Sequence, residues 1–570
     1  MGMEELITAA HGEQPADLLI TDARIINVFS GEITEGNIAV KDGHIAGIGD
    51  YEAVDTVSAK HSYAAPGFID PHVHIESAMT GVSRFAEAVV ARGTTTVVAD
   101  PHEIANVTGT DGIAWMLAAA ENQLINVYFT LPSCVPATDM ETPGAELDAE
   151  TLKPLLSHDR ILALGEMMNF PGVINRHPEV LKKIRAAADH RKLIEGHCPG
   201  LSGKDLAAYI AAGILSDHEC VSRQEAMEKL RSGMHIMIRE GTGARNLDDL
   251  LPIIDAATSA RLMWCTDDRH AEDIITEGHI DTMIGRAVNG GLDPVTAIRM
   301  GTINPASYFG LHRLGAIAPG RRADLVFLPD LERFEVKTVY CAGRLAAENG
   351  EALAGARKND PETFPASMNV GKESLEFGIH ARGSSVRTIG VNPGSIVTRH
   401  FVMPARIRHG KAVSDIERDM IKLAVVERHR GTGNIGLGFV CGLGLCSGAI
   451  AGSVAHDSHN IIAAGVGDED LRVAVEAVID MGGGLAAVKD ARVSASLALP
   501  IAGLMSDLSL KKIAENTVEL NRAAADLGTR LQDPFMQLSF LALPVIPELK
   551  LTDRGLFDVS RFSHVPLFAD

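Results

Sequence analysis

The chain has 570 residues, 46% hydrophobic and 22% charged, which suits a globular protein with large cores; at about 150 residues per domain the length predicts three or four domains. Lys and Arg total 52 against 74 Asp and Glu, a formal charge of −22, and aromatics are 4%. A chain this acidic is not expected to grip nucleic-acid phosphates or an anionic membrane, and so few aromatics disfavour a base-stacking platform. Seven cysteines without a CxxC pair predict reduced thiols and a cytoplasmic setting. The N-terminus, MGMEELITAAHGEQPADLLI, has early acids and no basic stretch before an apolar core, so no signal peptide is expected. No stretch approaches the ~18 uninterrupted apolar residues of a membrane span.

In chain order, residues 16–29 and 36–47 alternate apolar and polar side chains and break at SGE and DGH turns, a pattern of short antiparallel strands. The pattern returns at ADLVFLP (323–329) and VKTVYCAGRL (336–345), which predicts one small sheet domain from residues 1–65 plus 318–355. Between them, apolar β-branched runs fall at 66–74, 94–100, 126–132, 161–166, 192–197, 213–218, 235–240 and 262–268. Helix-like stretches such as 82–92, 180–190 and 224–231 separate them. Eight strand–helix alternations over residues 66–317 predict an α/β fold of the (β/α)8 TIM-type barrel class, although the periodicity alone also fits a doubly wound open sheet. GARKNDPETFPASMNVGKES (355–374) reads as a connector, and residues 370–570, with a helix near 468–481, as an additional C-terminal α+β domain. GTGNIGLG, within the glycine-rich 431–452 region, approaches a dinucleotide fingerprint but lacks the βαβ context, so close strand packing is the expected cause.

Polar residues close several runs. Run one ends His72-Val73-His74, whose strand spacing puts both imidazoles on one side. Run four ends in Glu166, run five in His197, run six in His218, and Asp267 lies near the end of run eight. Singly, each is as well explained by a satisfied histidine or a helix cap. Four imidazoles and two carboxylates converging on the C-terminal mouth of a barrel instead predict a dinuclear metal centre.

With Pro66-Gly67-Phe68-Ile69-Asp70-Pro71-His72-Val73-His74 as opening signature, followed by Glu166, Glu195-Gly196-His197, Ser216-Asp217-His218-Glu219, Cys265-Thr266-Asp267-Asp268 and Gly320-Arg321-Arg322-Ala323-Asp324-Leu325, the sequence resembles the amidohydrolase superfamily. No Lys falls within 161–171, which disfavours members that bridge their metals with a carboxylated lysine. The Glu at 166, Asp100-Pro101-His102-Glu103-Ile104-Ala105-Asn106-Val107, Val454-Ala455-His456-Asp457-Ser458-His459-Asn460 and the length are similar to the adenine deaminase family.

That resemblance implies a small β-sandwich-like domain beside the barrel and a metal-activated hydroxide attacking C6 of adenine. It implies two divalent ions, manganese or iron in preference to zinc, with His72, His74 and Asp267 holding one, His197 and His218 the other, and Glu166 bridging. Asp267 would carry the hydroxide's proton to the leaving amino group. Related mononuclear deaminases protonate the ring with a Glu three residues after the strand-five His; Gly200 stands there, so Glu103 is the first candidate and Glu219 the second. His102, His456, Asp457, Ser458 and His459 are expected at the substrate. Cys198, Cys220 and Cys265 are expected to pack as small hydrophobes. The expected partner is a small molecule, adenine, and a homodimer is expected as for many barrels. The alternatives are another amidohydrolase activity, such as an amino-sugar deacetylase, or a barrel scaffold without catalysis.

Overall fold

A computed structural model describes residues 2–353, 360–361 and 364–569. The eight apolar runs form parallel strands: β1 (Phe68–Val73), β2 (Thr94–Ala99), β3 (Asn126–Leu131), β4 (Ile161–Met167), β5 (Leu193–Gly196), β6 (Ser216–Asp217), β7 (His235–Arg239) and β8 (Leu262–Cys265). β1–β5 pair in sequence order, as do β6–β8. Leu215 N donates to Ile194 O at 3.3 Å between β5 and β6, and a parallel bridge from Val73 to Asp267 joins β8 to β1, closing the barrel. Every residue of β1 and β2 is buried, Asp70, His72 and Thr94 to Thr96 included, so neither strand shows the alternation of a half-exposed one.

A nine-stranded sheet flanks the barrel and takes strands from both sides of it in sequence: Tyr63–Pro66 pairs antiparallel with Leu325–Leu328. One face buries Ile20, Ile25, Ile38, Val40, Leu325 and Phe327; against the other, Ala16, Leu19, Ala39 and Ala46 pack with Ala9 of helix Met3–Ala10.

The C-terminal region is built on an eight-stranded sheet with Met420–Val426 near its middle. Strand alternation sorts that segment: Ala424 and Val426 pack on Leu471, Ala474, Val475 and Val478 of helix Asp468–Asp480, whereas Leu423 and Val425 join the apolar cluster that includes the barrel. Gly436 lies so close to the neighbouring chain that a Cβ would come within 1.9 Å of Thr552 O, so strand packing accounts for this glycine of the 431–452 region. Of the 355–374 connector, residues 355–359 and 362–363 lie outside the described residues. Asp360 accepts from the backbone and hydroxyl of Ser83, and Phe364 packs edge-on against Trp115, so the connector touches the barrel. Among the described residues no helix is long and apolar enough to cross a membrane.

Candidate metal centre at the barrel mouth

The strand ends bring His72, His74, Glu166, His197, His218 and Asp267 together. Asp267 Oδ1 lies 3.0 Å from His74 Nε2 and 3.4 Å from His72 Nε2. Glu166 stands between two groups of imidazoles: Oε1 is 3.4 Å from both His74 Nε2 and His102 Nδ1, and Oε2 is 2.7 Å from His197 Nδ1 and 3.2 Å from His218 Nε2. The His72 and His218 rings stack at 4.0 Å. His74 Nδ1 faces Asp100 O at 2.9 Å, which fixes the ring and leaves Nε2 pointing at the carboxylates.

The electrostatics fit a cation. Burial pulls His74 and His197 down, but Asp267 beside His74, and Glu219 and Glu166 beside His197, push them up to about 10 and about 9. His72 Nε2 and His102 Nδ1 are buried without a hydrogen-bond partner. A buried set of imidazole and carboxylate donors with orphaned nitrogens and excess negative charge is what divalent transition metals bind. Burial alone would raise Asp267 and Glu166; Arg239 with His72 and His74 for the former, and His197 with His218 for the latter, hold both well below the usual carboxylate range.

Supporting residues explain the precision. Asp100 Oδ2 accepts from Glu166 N at 3.2 Å, and this approach needs Gly165, where a Cβ would meet Asp100 Oδ2 at 2.1 Å. Under His197 and His218, Lys229 Nζ donates to Cys198 O (2.7 Å), Asp217 Oδ2 (2.9 Å) and Glu225 Oε1 (2.7 Å). Asp217 Oδ1 in turn accepts from Cys198 N at 2.8 Å and Oδ2 from Glu219 N at 3.2 Å, so one carboxylate orients the peptides following both histidines. Lys229→Met leaves a buried, unpaired Asp217; it is expected to cost about 3–5 kcal/mol of stability, read from thermal and denaturant midpoints, with metal content lowered in parallel. A wild-type midpoint would contradict this. Cys198, Cys220 and Cys265 are buried free thiols; Cys198 and Cys220 do more than pack as small hydrophobes, donating to Asp217 at 3.4 and 3.1 Å.

The C-terminal region supplies one wall. Glu103 Oε1 is 2.9 Å from His456 Nδ1, and its Oε2 contacts His459 Nε2. His456 stacks on Phe540 at 4.6 Å. Asp457 is buried, and burial together with the Glu103 charge pushes it up to about 6. Ser458 is buried, and its carbonyl lies 2.6 Å from His429 Nε2. Arg428 crosses beneath the loop, fully buried, with its guanidinium donating to the carbonyls of His459, Ser367 and Ala502. Thr142 donates through N and Oγ1 to Asp553 at 2.9 and 2.7 Å, a second tie between barrel and C-terminal region.

Glu219 lies 3.5 Å from His218 Nε2 and 3.7 Å from His197 Nδ1 but is clamped by Arg239, whose Nη1 also reaches Asp267 Oδ2 at 2.7 Å. Arg239, the last residue of β7 and next to last in run seven, is not among the expected site residues. Neither are Asp100, Lys229 and Glu141, the last a carboxyl that burial pushes well above its ordinary value beside Ser458.

Comparison with known proteins agrees with this architecture. An amidohydrolase family profile matches residues 63–346, and an adenine deaminase C-terminal domain profile matches residues 395–563. The chain is 52% identical over 565 residues to "Adenine deaminase" of Desulfatibacillum aliphaticivorans, covering 99% of each chain. It is 50% identical over 574 residues to "Adenine deaminase" of Methanothrix thermoacetophila, covering 100% of each, and 46% identical over 566 residues to that of Dehalococcoides mccartyi, covering 99% of each. With the barrel, the histidine and carboxylate cluster at its mouth and the C-terminal wall all within these end-to-end matches, the chain belongs to the adenine deaminase family of the amidohydrolases.

Proposed function

We propose that this protein hydrolyses adenine to hypoxanthine and ammonia. The observation that carries the reading is the joining of six ligand-type side chains at the barrel mouth to a Glu103–His456–His459 wall from the C-terminal region, in a chain that aligns end to end with proteins named adenine deaminase. His72, His74 and Asp267 would hold one divalent ion, His197 and His218 a second, and Glu166 both; manganese or iron is the proposed metal. When bound, such ions act as Lewis acids and lower the pKa of water so that hydroxide is available near neutral pH.

The chain's own groups then move the protons. Asp267 takes the proton released by water as its oxygen adds to C6, and returns it to the amino group, which leaves as ammonia. Glu103, with the His456–His459 pair, delivers a proton to N1 and recovers one from the new C6 hydroxyl, leaving hypoxanthine with N1–H and C6=O. Glu219 is the weaker candidate because Arg239 occupies both of its oxygens. His102, Asp457 and Ser458 would border the base. A neutral base needs no basic groove, consistent with the −22 charge. The proposed setting is a cytoplasmic homodimer.

Ammonia release should be measured with adenine, adenosine, cytosine and N-acetylglucosamine 6-phosphate, alongside metal analysis. Turnover with adenine alone is expected; chelation should abolish it, and manganese or ferrous iron should restore it. Ammonia from adenosine but not adenine, or acetate release from the amino sugar, would overturn the reading.

A further inference from the structure

Glu76 sits two residues beyond His74 in the turn Ile75–Ala78 and is 4% exposed. Its Oε1 accepts from Ile104 N at 3.3 Å, whereas Oε2 is buried without a partner. A buried acceptor left unmatched costs free energy, and native proteins seldom keep one without a use. Glu76 faces a cavity in which Met79, Val454, Leu504 and Met536 form apolar walls and Glu103, His456 and His459 supply polar groups. Glu103 links this cavity to the ligand cluster, since its neighbour His102 lies 3.4 Å from Glu166.

We propose that Glu76 determines specificity for a free purine base: its unmatched Oε2 accepts the N9–H of adenine, which the apolar walls hold by its ring faces. The inference rests on the adenine reading above. With C6 towards the ligand cluster, N7 lies beside the amino group and N9 at the far end of the bicycle, so N9–H is the donor left to point away from the reaction. Donation from N9–H would match the oxygen that the Ile104 amide leaves without a partner. A nucleoside carries its sugar on N9, so it brings no donor and places bulk against a buried acidic oxygen. The same carboxylate therefore accepts the base and rejects the nucleoside.

The test uses the metal-loaded enzyme with adenine and 9-methyladenine. Wild type is expected to prefer adenine by about 10⁴-fold in kcat/KM, the discrimination typical of a buried group left unpaired by the wrong substrate. Glu76→Ala should raise KM for adenine by about 10- to 100-fold with a much smaller change in kcat, and shrink the preference to under about tenfold. Glu76→Gln keeps a carbonyl acceptor and should retain most of the preference. Equal use of the two bases by wild type, or an alanine variant with wild-type KM and preference, would overturn the proposal. Should the alanine variant not fold or not retain metal, inhibition of wild type decides: 9-methylhypoxanthine is expected to bind at least about 100-fold more weakly than hypoxanthine, and equal inhibition refutes the role of Glu76. No ammonia from adenine would instead mark failure of the activity assignment itself.

Discussion

Asparagine at position 267 is expected to lower kcat for adenine by about 10³- to 10⁴-fold, the upper range for loss of a proton-carrying group. Among the described residues Asp267 is the one carboxylate within 4 Å of both His72 and His74, and it also meets Arg239. An amide keeps the size of the side chain but not its basicity, and its NH2 would oppose either an imidazole nitrogen or the Arg239 donor. Metal content measured on the same sample separates the two contributions. If both ions stay bound, the loss belongs to proton transfer; if one leaves, manganese titration should recover part of the rate. Turnover within tenfold of wild type would refute the role given to Asp267.

Glutamine at 103 is the second substitution with a large expected effect, about 10²- to 10⁴-fold in kcat with metal content unchanged. The partners of this carboxylate come from 353 and 356 positions away, at His456 and His459. His459→Ala should therefore act in the same direction through a residue outside the barrel. The double variant should be little worse than Glu103→Gln alone, because groups acting as one unit are not additive. Full additivity would mean that the histidine and the glutamate serve separate steps. Unchanged turnover in Glu103→Gln would remove it as the ring-nitrogen proton source.

The barrel was legible because strands buried on both faces are rich in apolar and β-branched residues, and because the residues ending them differ so sharply in kind. His72, His74, Glu166, His197, His218 and Asp267 are visible for that reason. Arg239 carries the same signal, but an arginine among expected ligands is easily passed over. Lys229 gave no sign: within RQEAMEKLR, where charged residues stand on several faces of the helix, nothing marks one lysine as fully buried. Glu76 is likewise an ordinary polar residue in a turn until the fold closes a cavity around it. The approach of AHDSHN to Glu103 is a contact between distant segments, and periodicity carries no information about such pairs.

The Glu103–His456–His459 contact has a consequence for exchanging parts between relatives. A barrel grafted onto another member's C-terminal region inherits an acid from one parent and its two imidazoles from the other. A mismatch there strips a buried carboxylate of two of its three imidazole neighbours, leaving His102 alone beside it, however well each half folds by itself. The DPHE and AHDSHN segments thus form a single heritable unit split across the chain, and a functional chimera has to take both from the same parent.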